Sequence, residues 1–108
     1  MTEFYEQVKE RLMRYARINT ESDPHSTSVP TTSCQHDLAS VIYEELQEIG
    51  ATNVYYDKDT CVVYGSLEAN VKTGRAIGFV THMDTAPDAS GKDVKPWVLE
   101  NYDGNDII

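Results

Sequence analysis

Two segments of the chain place apolar residues at helical spacing. The first carries such residues at Phe4, Val8, Leu12 and Tyr15, with charged side chains among the positions between them. This pattern predicts an amphipathic helix from about Thr2 to Ala16. Its apolar stripe is expected to pack against a sheet.

The second segment keeps one face apolar through Leu38, Val41, Ile42, Leu46 and Ile49. It is preceded by Thr32-Ser33-Cys34-Gln35, which matches a capping box, in which the Thr and Gln side chains bind free amides at the helix start. Gly50 follows the segment and suits the left-handed residue just past a helix end. A second helix is therefore predicted between these two signals.

Strand signals follow the helices. The segments Val54–Tyr56 and Cys61–Tyr64 are rich in β-branched and aromatic residues and flank a short polar turn at 57–60, which predicts a hairpin. The run Ala76–Thr81 is apolar on both faces, as in a buried central strand, and it ends at His82. Residues 103–108 resemble a turn that enters a further strand. The order of elements predicts a layered α/β domain.

Charge and composition exclude several classes of partner. The net charge of −9 disfavours binding to nucleic acid or to an anionic membrane surface. No stretch approaches the roughly 20 apolar residues that span a bilayer, and the first residues lack the features of a signal peptide, so a cytoplasmic protein is expected. Cys34 and Cys61 are far apart and form no Cys-x-x-Cys pair, so neither a disulfide framework nor a thiolate metal site is indicated.

A long polar loop separates the two predicted helices. Residues 19–32 contain Pro24, Pro30 and many Ser and Thr residues, a composition that favours turns. Loops of this length in a structured protein are often functional. Within the loop His25 is interpreted as solvent-exposed, and His36 near the start of the second helix as a surface residue, so neither is assigned a role.

The sequence His82-Met83-Asp84 carries the candidate chemistry. Ligands of open α/β sheets tend to bind beyond the carboxyl ends of strands, where this sequence is predicted to lie. In an extended segment residues i and i+2 point the same way, so Asp84 can accept a hydrogen bond from one nitrogen of His82 and leave the other nitrogen for a metal. A His-x-Asp sequence alone is a weak signal, however, because a histidine at a strand end is also common as a hydrogen-bonding residue.

The surrounding residues strengthen the metal interpretation through a family resemblance. The stretch Ile77–Asp88 resembles the first metal motif of the M20 metallopeptidases, an apolar strand followed by His-x-Asp-Thr. Within that superfamily the chain resembles the peptidase T (tripeptide aminopeptidase) family. The resembling segments are Ser90-Gly91-Lys92 with Pro96, Glu100-Asn101-Tyr102, Thr20-Glu21-Ser22 and Val29-Pro30 to Gln35. Together they extend the resemblance over essentially all 108 residues.

This resemblance implies a zinc-dependent enzyme that removes the N-terminal residue from tripeptides. His82 would bind one of two zinc ions, and Asp84 would be the catalytic-site residue that orients His82 from behind. Residues 1–108 would be the N-terminal portion of a layered α/β catalytic domain. The remaining ligands, the general base and a smaller lid or dimerisation domain would lie beyond residue 108. No residue of the chain is assigned to substrate binding.

Two consequences are expected for the chain alone, and two other functions stay open. The 108-residue chain is expected to be inactive and to self-associate, because a truncated sheet exposes apolar faces and strand edges. The nearest alternative activity is another M20 type, such as a dipeptidase, a carboxypeptidase or an acyl-amino-acid hydrolase. The other alternative is a non-catalytic relic module that acts by association with a partner.

Overall fold

The first helix is present where the sequence predicts it. In the computed structural model, which describes residues 2–72 and 74–108, helix α1 spans Thr2–Ala16. Its residues are not buried, and the side chains of Phe4, Val8 and Leu12 are exposed. The expectation that a sheet covers this apolar stripe is therefore wrong for the described residues. The one sheet that they form packs against the second helix instead.

The second helix, α2, spans Gln35–Glu48, and its start differs from the prediction. Cys34 occupies the N-cap position and makes no side-chain capping bond. The hydroxyl of Thr32 instead donates to the carbonyl of Glu21 at 2.6 Å and accepts a hydrogen bond from Gln35 Nε2 at 3.0 Å. The capping-box prediction is wrong because both side chains bind the preceding loop rather than the helix amides.

The end of α2 agrees with the sequence signal. Gly50 has a φ of +83°, in the left-handed region that favours glycine. Its amide donates to the Gln47 carbonyl at 3.1 Å, and the Ala51 amide donates to the Leu46 carbonyl at 2.9 Å. These two bonds form a Schellman motif, which satisfies carbonyls at the helix end. Neither helix of the described residues is long and apolar enough to cross a membrane.

The predicted hairpin is also present. Strands β1 (Thr52–Asp57) and β2 (Val62–Ser66) pair antiparallel, with Tyr55 opposite Tyr64. The Asp57 carboxylate accepts hydrogen bonds from the amides of Asp59 and Thr60, which closes the turn. Cys61, assigned to a strand from the sequence, lies in the turn instead, with a positive φ of +59°.

Helix α2 packs on this hairpin and provides the core of the described residues. Leu38 and Ala39 of α2 are buried, as is Cys61 of the hairpin turn. Leu46 lies so close to Gly65 that a Cβ added there would be 3.3 Å from its side chain, so the absence of a side chain in β2 permits this approach. Two helices and one antiparallel hairpin agree with part of an α/β domain.

The predicted central strand at Ala76–Thr81 is not formed. These residues have no regular secondary structure, and Phe79 and Val80 are 92% and 100% exposed. A strand is stabilised by hydrogen bonds to a neighbouring strand and by burial of its faces, and the described sheet holds only β1 and β2. Residues 103–108 form a turn at Asp103, whose carboxylate accepts the Asn105 amide, but no strand follows it.

A buried carboxylate connects the two helices. The Glu45 side chain of α2 is 10% exposed and pairs with Arg11 and Arg14 of α1. It also accepts a hydrogen bond from the Tyr15 hydroxyl. The sequence of α2 predicts a solvated face formed by Glu44, Glu45 and Glu48. Glu44 and Glu48 are exposed, but Glu45 is buried because α1 lies against it.

Candidate functional site

The side chains of His82 and Asp84 lie together, as the sequence predicts. His82 Nδ1 is 3.0 Å from Asp84 Oδ1 and 2.9 Å from the Asp84 carbonyl oxygen. Both oxygens are hydrogen-bond acceptors, so the Nδ1 atom must carry the proton that it shares with them. The pairing is produced by two residues of one segment without regular secondary structure, and it forms although the predicted strand before it does not.

This hydrogen bond determines which nitrogen is available for a ligand. In a neutral imidazole with a proton on Nδ1, Nε2 has a free lone pair. The His82 side chain is 83% exposed, and that of Asp84 is 42% exposed. The open nitrogen is thus accessible, and the arrangement corresponds to a metal-binding histidine with a carboxylate behind it.

The pair by itself is too small a donor set for a complete metal site. A catalytic zinc ion generally has three protein ligands and an open position. Within 2–72 and 74–108, no group of three or more His, Cys, Asp or Glu side chains is arranged to hold a metal ion. His82 therefore fits one position of a zinc site, and the described residues do not provide the others.

A groove of about 360 Å³ reaches Asp84. The loop 19–32 supplies most of its wall, and the start of α2 and the hairpin turn supply the rest. Its lining residues are Ser22, Asp23, Pro24, Ser28, Val29, Pro30, Thr31, Gln35, Thr60 and Asp84. The long loop that the sequence marks as a candidate functional segment thus lies beside the His82-Met83-Asp84 sequence.

The loop owes its shape to hydrogen bonds from buried Gln35. Its Nε2 donates to the hydroxyl oxygens of Thr31 and Thr32 at 3.2 and 3.0 Å. Thr31 also accepts the Asp23 amide at 3.2 Å. These bonds connect Asp23, near the start of the loop, to Thr31 and to Gln35 at the start of α2. The wall of the groove is therefore held in one conformation by hydrogen bonds.

The other two histidines have partners outside the His82–Asp84 pair. His25 is exposed, as expected, and its amide donates to Asp23 Oδ1 at 2.9 Å. His36 is half-buried rather than on the open surface, because its ring contacts Tyr56 of β1. Burial raises the pKa of Tyr56, with the neighbouring Cys61 as a further cause. His36 is thus part of the packing between α2 and the hairpin.

Sequence reasoning misses one residue next to the site. Glu21 forms a parallel bridge with Thr85, which directly follows Asp84, and its carboxylate accepts the Gly91 amide at 2.9 Å. The only sequence signal for Glu21 is its place in the Thr20-Glu21-Ser22 segment. No spacing rule connects it to a residue 70 positions later.

Comparison with known proteins adds evidence from sequence similarity. No protein-family model matches the chain. It is 46% identical over 102 residues to Peptidase T of Alkaliphilus oremlandii (strain OhILAs), covering 92% of this chain and 25% of that protein. Peptidase T of Desulfitobacterium hafniense is 47% identical over 102 residues, covering 94% and 24%.

A more divergent relative is covered to the same extent. Peptidase T of Fusobacterium nucleatum subsp. nucleatum is 40% identical over 105 residues, covering 96% of this chain and 25% of that protein. The chain thus spans about a quarter of the length of the curated relatives it matches. Over nearly its whole length, it corresponds to the N-terminal part of the Peptidase T family.

Proposed function

We propose that the chain is the N-terminal part of the catalytic domain of a zinc-dependent aminopeptidase that acts on tripeptides. The observation that carries this proposal is the His82–Asp84 pair, in which a carboxylate holds one ring nitrogen and leaves the other open. The similarity to Peptidase T over 92–96% of the chain supports it. A peptidase reaction is therefore the function that best fits both the geometry and the relatives.

The residues present suggest a division of roles. His82 would bind zinc through Nε2, and Asp84 would fix the tautomer and the ring orientation through Nδ1. When bound, a pair of zinc ions lowers the pKa of a water molecule and polarises the scissile peptide carbonyl. The groove that reaches Asp84 lies beside this position and would admit part of a small peptide.

The rest of the machinery is proposed to belong to a longer protein. One imidazole does not define a zinc site, and the relatives are about four times as long as the matched region. The layered α/β catalytic domain and a smaller lid or dimerisation domain are accordingly assigned to that longer protein. The 108-residue chain alone is expected to bind zinc weakly and to hydrolyse no tripeptide.

The activity is tested by assaying the complete protein and the 108-residue chain side by side. Purified samples would be incubated with a tripeptide, a dipeptide and an N-acyl amino acid, with and without a chelator, and the products separated by chromatography. The proposal expects chelator-sensitive release of the N-terminal residue from the tripeptide by the complete protein alone. Preferred cleavage of the dipeptide or the N-acyl amino acid would assign it another activity, and no cleavage at all would favour a non-catalytic module.

Self-association of the 108-residue chain is a second part of the proposal. Phe79 and Val80 are almost completely exposed, and α1 carries further exposed apolar side chains. Exposed apolar surface of this kind favours association. Light scattering across a concentration series is expected to give a mass that rises with concentration, and less so for Phe79→Glu. A monodisperse monomer at the highest concentration would contradict this part.

A further inference from the structure

The segment after the His82–Asp84 pair is attached to the loop 19–32 by its backbone. The Thr85 amide donates to the Thr20 carbonyl at 3.0 Å, and the Ser22 amide donates to the Thr85 carbonyl at 2.9 Å. The Ser22 hydroxyl donates to the same Thr85 carbonyl at 3.0 Å. Thr20 is buried, so the attachment has a solvent-protected side. The segment is therefore held at Thr85, one residue after Asp84.

The Glu21 side chain makes a second attachment six residues further along. Its carboxylate Oε2 accepts the Gly91 amide at 2.9 Å. The Glu21 amide in turn donates to Asn19 Oδ1 at 3.1 Å, which helps to place the residue. The 20–22 segment therefore holds residues 85–91 at both ends, through the backbones of Thr20 and Ser22 at Thr85 and through the Glu21 side chain at Gly91.

Gly91 is required by the closeness of this contact. A Cβ at position 91 would lie 2.7 Å from Asn19 Oδ1 and 3.3 Å from Thr85 Oγ1. Any side chain there would displace Asn19 from its bond to the Glu21 amide or move the Gly91 amide away from the carboxylate. The contact thus depends on both residues, and it can be broken from either side.

These attachments are the support that the described residues give to the His82–Asp84 pair. The segment before the pair, Ala76–Thr81, has no strand partner and is exposed. The orientation of His82 is therefore determined mainly from the other side, through Thr85 and the segment that Glu21 holds. Of these two attachments, loss of the Glu21 carboxylate leaves the one at Thr85.

We propose that Glu21 is a positioning residue for the His82–Asp84 pair, acting through the Gly91 amide and the 85–91 segment. The inference rests on the proposed function, because positioning matters for catalysis only if His82 binds zinc. Glu21 itself touches neither metal nor substrate in this proposal. Its role requires a hydrogen-bond acceptor at the end of the side chain, but not a negative charge.

That distinction determines the variants. Glu21→Gln keeps an acceptor oxygen for the Gly91 amide, whereas Glu21→Ala removes it. Gly91→Ala breaks the same contact from the other partner. Glu44→Ala is the matched control, because Glu44 is an exposed glutamate of α2. Gly74→Ala is the control for the glycine, because a Cβ there meets nothing within 4 Å and residue 74 lies outside the Ile77–Asp88 motif.

The experiment makes three measurements on the complete protein. Its zinc affinity is measured by competition with a chromophoric chelator. The absorption spectrum of its cobalt(II) form and its kcat and KM for a tripeptide are measured separately. Glu21→Ala and Gly91→Ala are expected to weaken zinc binding by about 10-fold, at the lower end of the effect of outer partners of metal ligands. The cobalt spectrum is expected to change and kcat to fall more than KM rises. Glu21→Gln is expected to restore all three, and both controls to match the wild type.

Several outcomes would overturn the inference. If Glu21→Gln loses zinc affinity as fully as Glu21→Ala, the charge matters and Glu21 is not merely a positioning residue. If Glu21→Ala behaves as Glu44→Ala does, Glu21 has no effect on the site.

Failure of the proposed function is distinguishable from failure of this inference. If the wild-type protein binds no zinc, the proposed function fails, and the positioning role is judged by NMR on the metal-free protein. The ¹⁵N signals of the His82 ring, read through its carbon-bound protons and assigned by their absence in His82→Asn, are then expected to shift toward a mixture of the two tautomers in Glu21→Ala and to return in Glu21→Gln. An unchanged signal in Glu21→Ala would refute the positioning role by itself.

Discussion

Removal of the Glu45 carboxylate is expected to free helix α1 from α2. Glu45 is the shared partner of Arg11, Arg14 and Tyr15, and α1 buries no residue of its own. The polar contacts described between these helices therefore converge on one side chain. Glu45→Ala removes them together and leaves the rest of α2 intact, because alanine is the best helix former.

The expected size of the effect follows from the exposure of the partners. The Arg11 and Arg14 side chains are 38% and 56% exposed, so each ion pair contributes about 0.2–1 kcal/mol. The Tyr15 hydroxyl donates to a charged group, which contributes about 1.5–3 kcal/mol. In Glu45→Ala the two arginine side chains become hydrated again, and the released side chains regain conformational freedom. A net loss of about 1–2 kcal/mol is therefore expected for the docking of α1.

Hydrogen exchange of the α1 amides measures this loss directly. Glu45→Ala is expected to reduce their protection by a factor of about 5–30, which corresponds to 1–2 kcal/mol. Glu45→Gln keeps an acceptor for Tyr15 and is expected to reduce it less. Glu44→Ala, one residue away and exposed, is the control and is expected to have no effect. Equal protection in Glu45→Ala and Glu44→Ala would refute the account of how α1 docks.

Two further predictions concern the end of α2 and the hairpin. Gly50→Ala is expected to destabilise the chain by about 1–2 kcal/mol, because position 50 has a left-handed φ that costs other residues this much. Urea denaturation would measure this, and Gly78→Ala should leave stability unchanged. A hydrogen bond from the Thr60 side chain, and to a smaller extent one from the Asp59 amide, lowers the pKa of Asp57. The ionised carboxylate therefore stabilises the folded hairpin at pH values above its ordinary pKa. That contribution is expected to disappear as pH falls through the lowered pKa; amide exchange in the turn should follow this pH dependence in the wild type but not in Asp57→Asn.

Local signals in the sequence predict the parts of the fold that depend on neighbouring residues. The period of apolar side chains places α1 at its observed bounds, and Gly50 marks the end of α2 because a single backbone conformation needs it. The hairpin is also predicted from a local signal, namely the β-branched and aromatic runs on either side of a polar turn. The His82–Asp84 contact also follows from local geometry, because residues two apart in an extended segment face the same way.

Features that depend on distant partners could not be predicted. The apolar run Ala76–Thr81 has the composition of a buried strand, but pairing requires a neighbour that the run itself does not specify. Glu45 has the sequence context of an exposed helix residue, and only the position of α1 buries it. The contact between Glu21 and Gly91 joins residues 70 positions apart, and no local pattern encodes it.

The most direct test of the central claim is the zinc content and tripeptide turnover of the complete protein with and without His82. The wild type is expected to hold zinc and to release the N-terminal residue of a tripeptide. His82→Ala is expected to lose a zinc ligand and most of the turnover. Asp84→Asn should retain the shape but weaken the orienting hydrogen bond, at a cost of about 10–100-fold in activity. Full zinc content and full turnover in His82→Ala would contradict the assignment of His82 as a ligand.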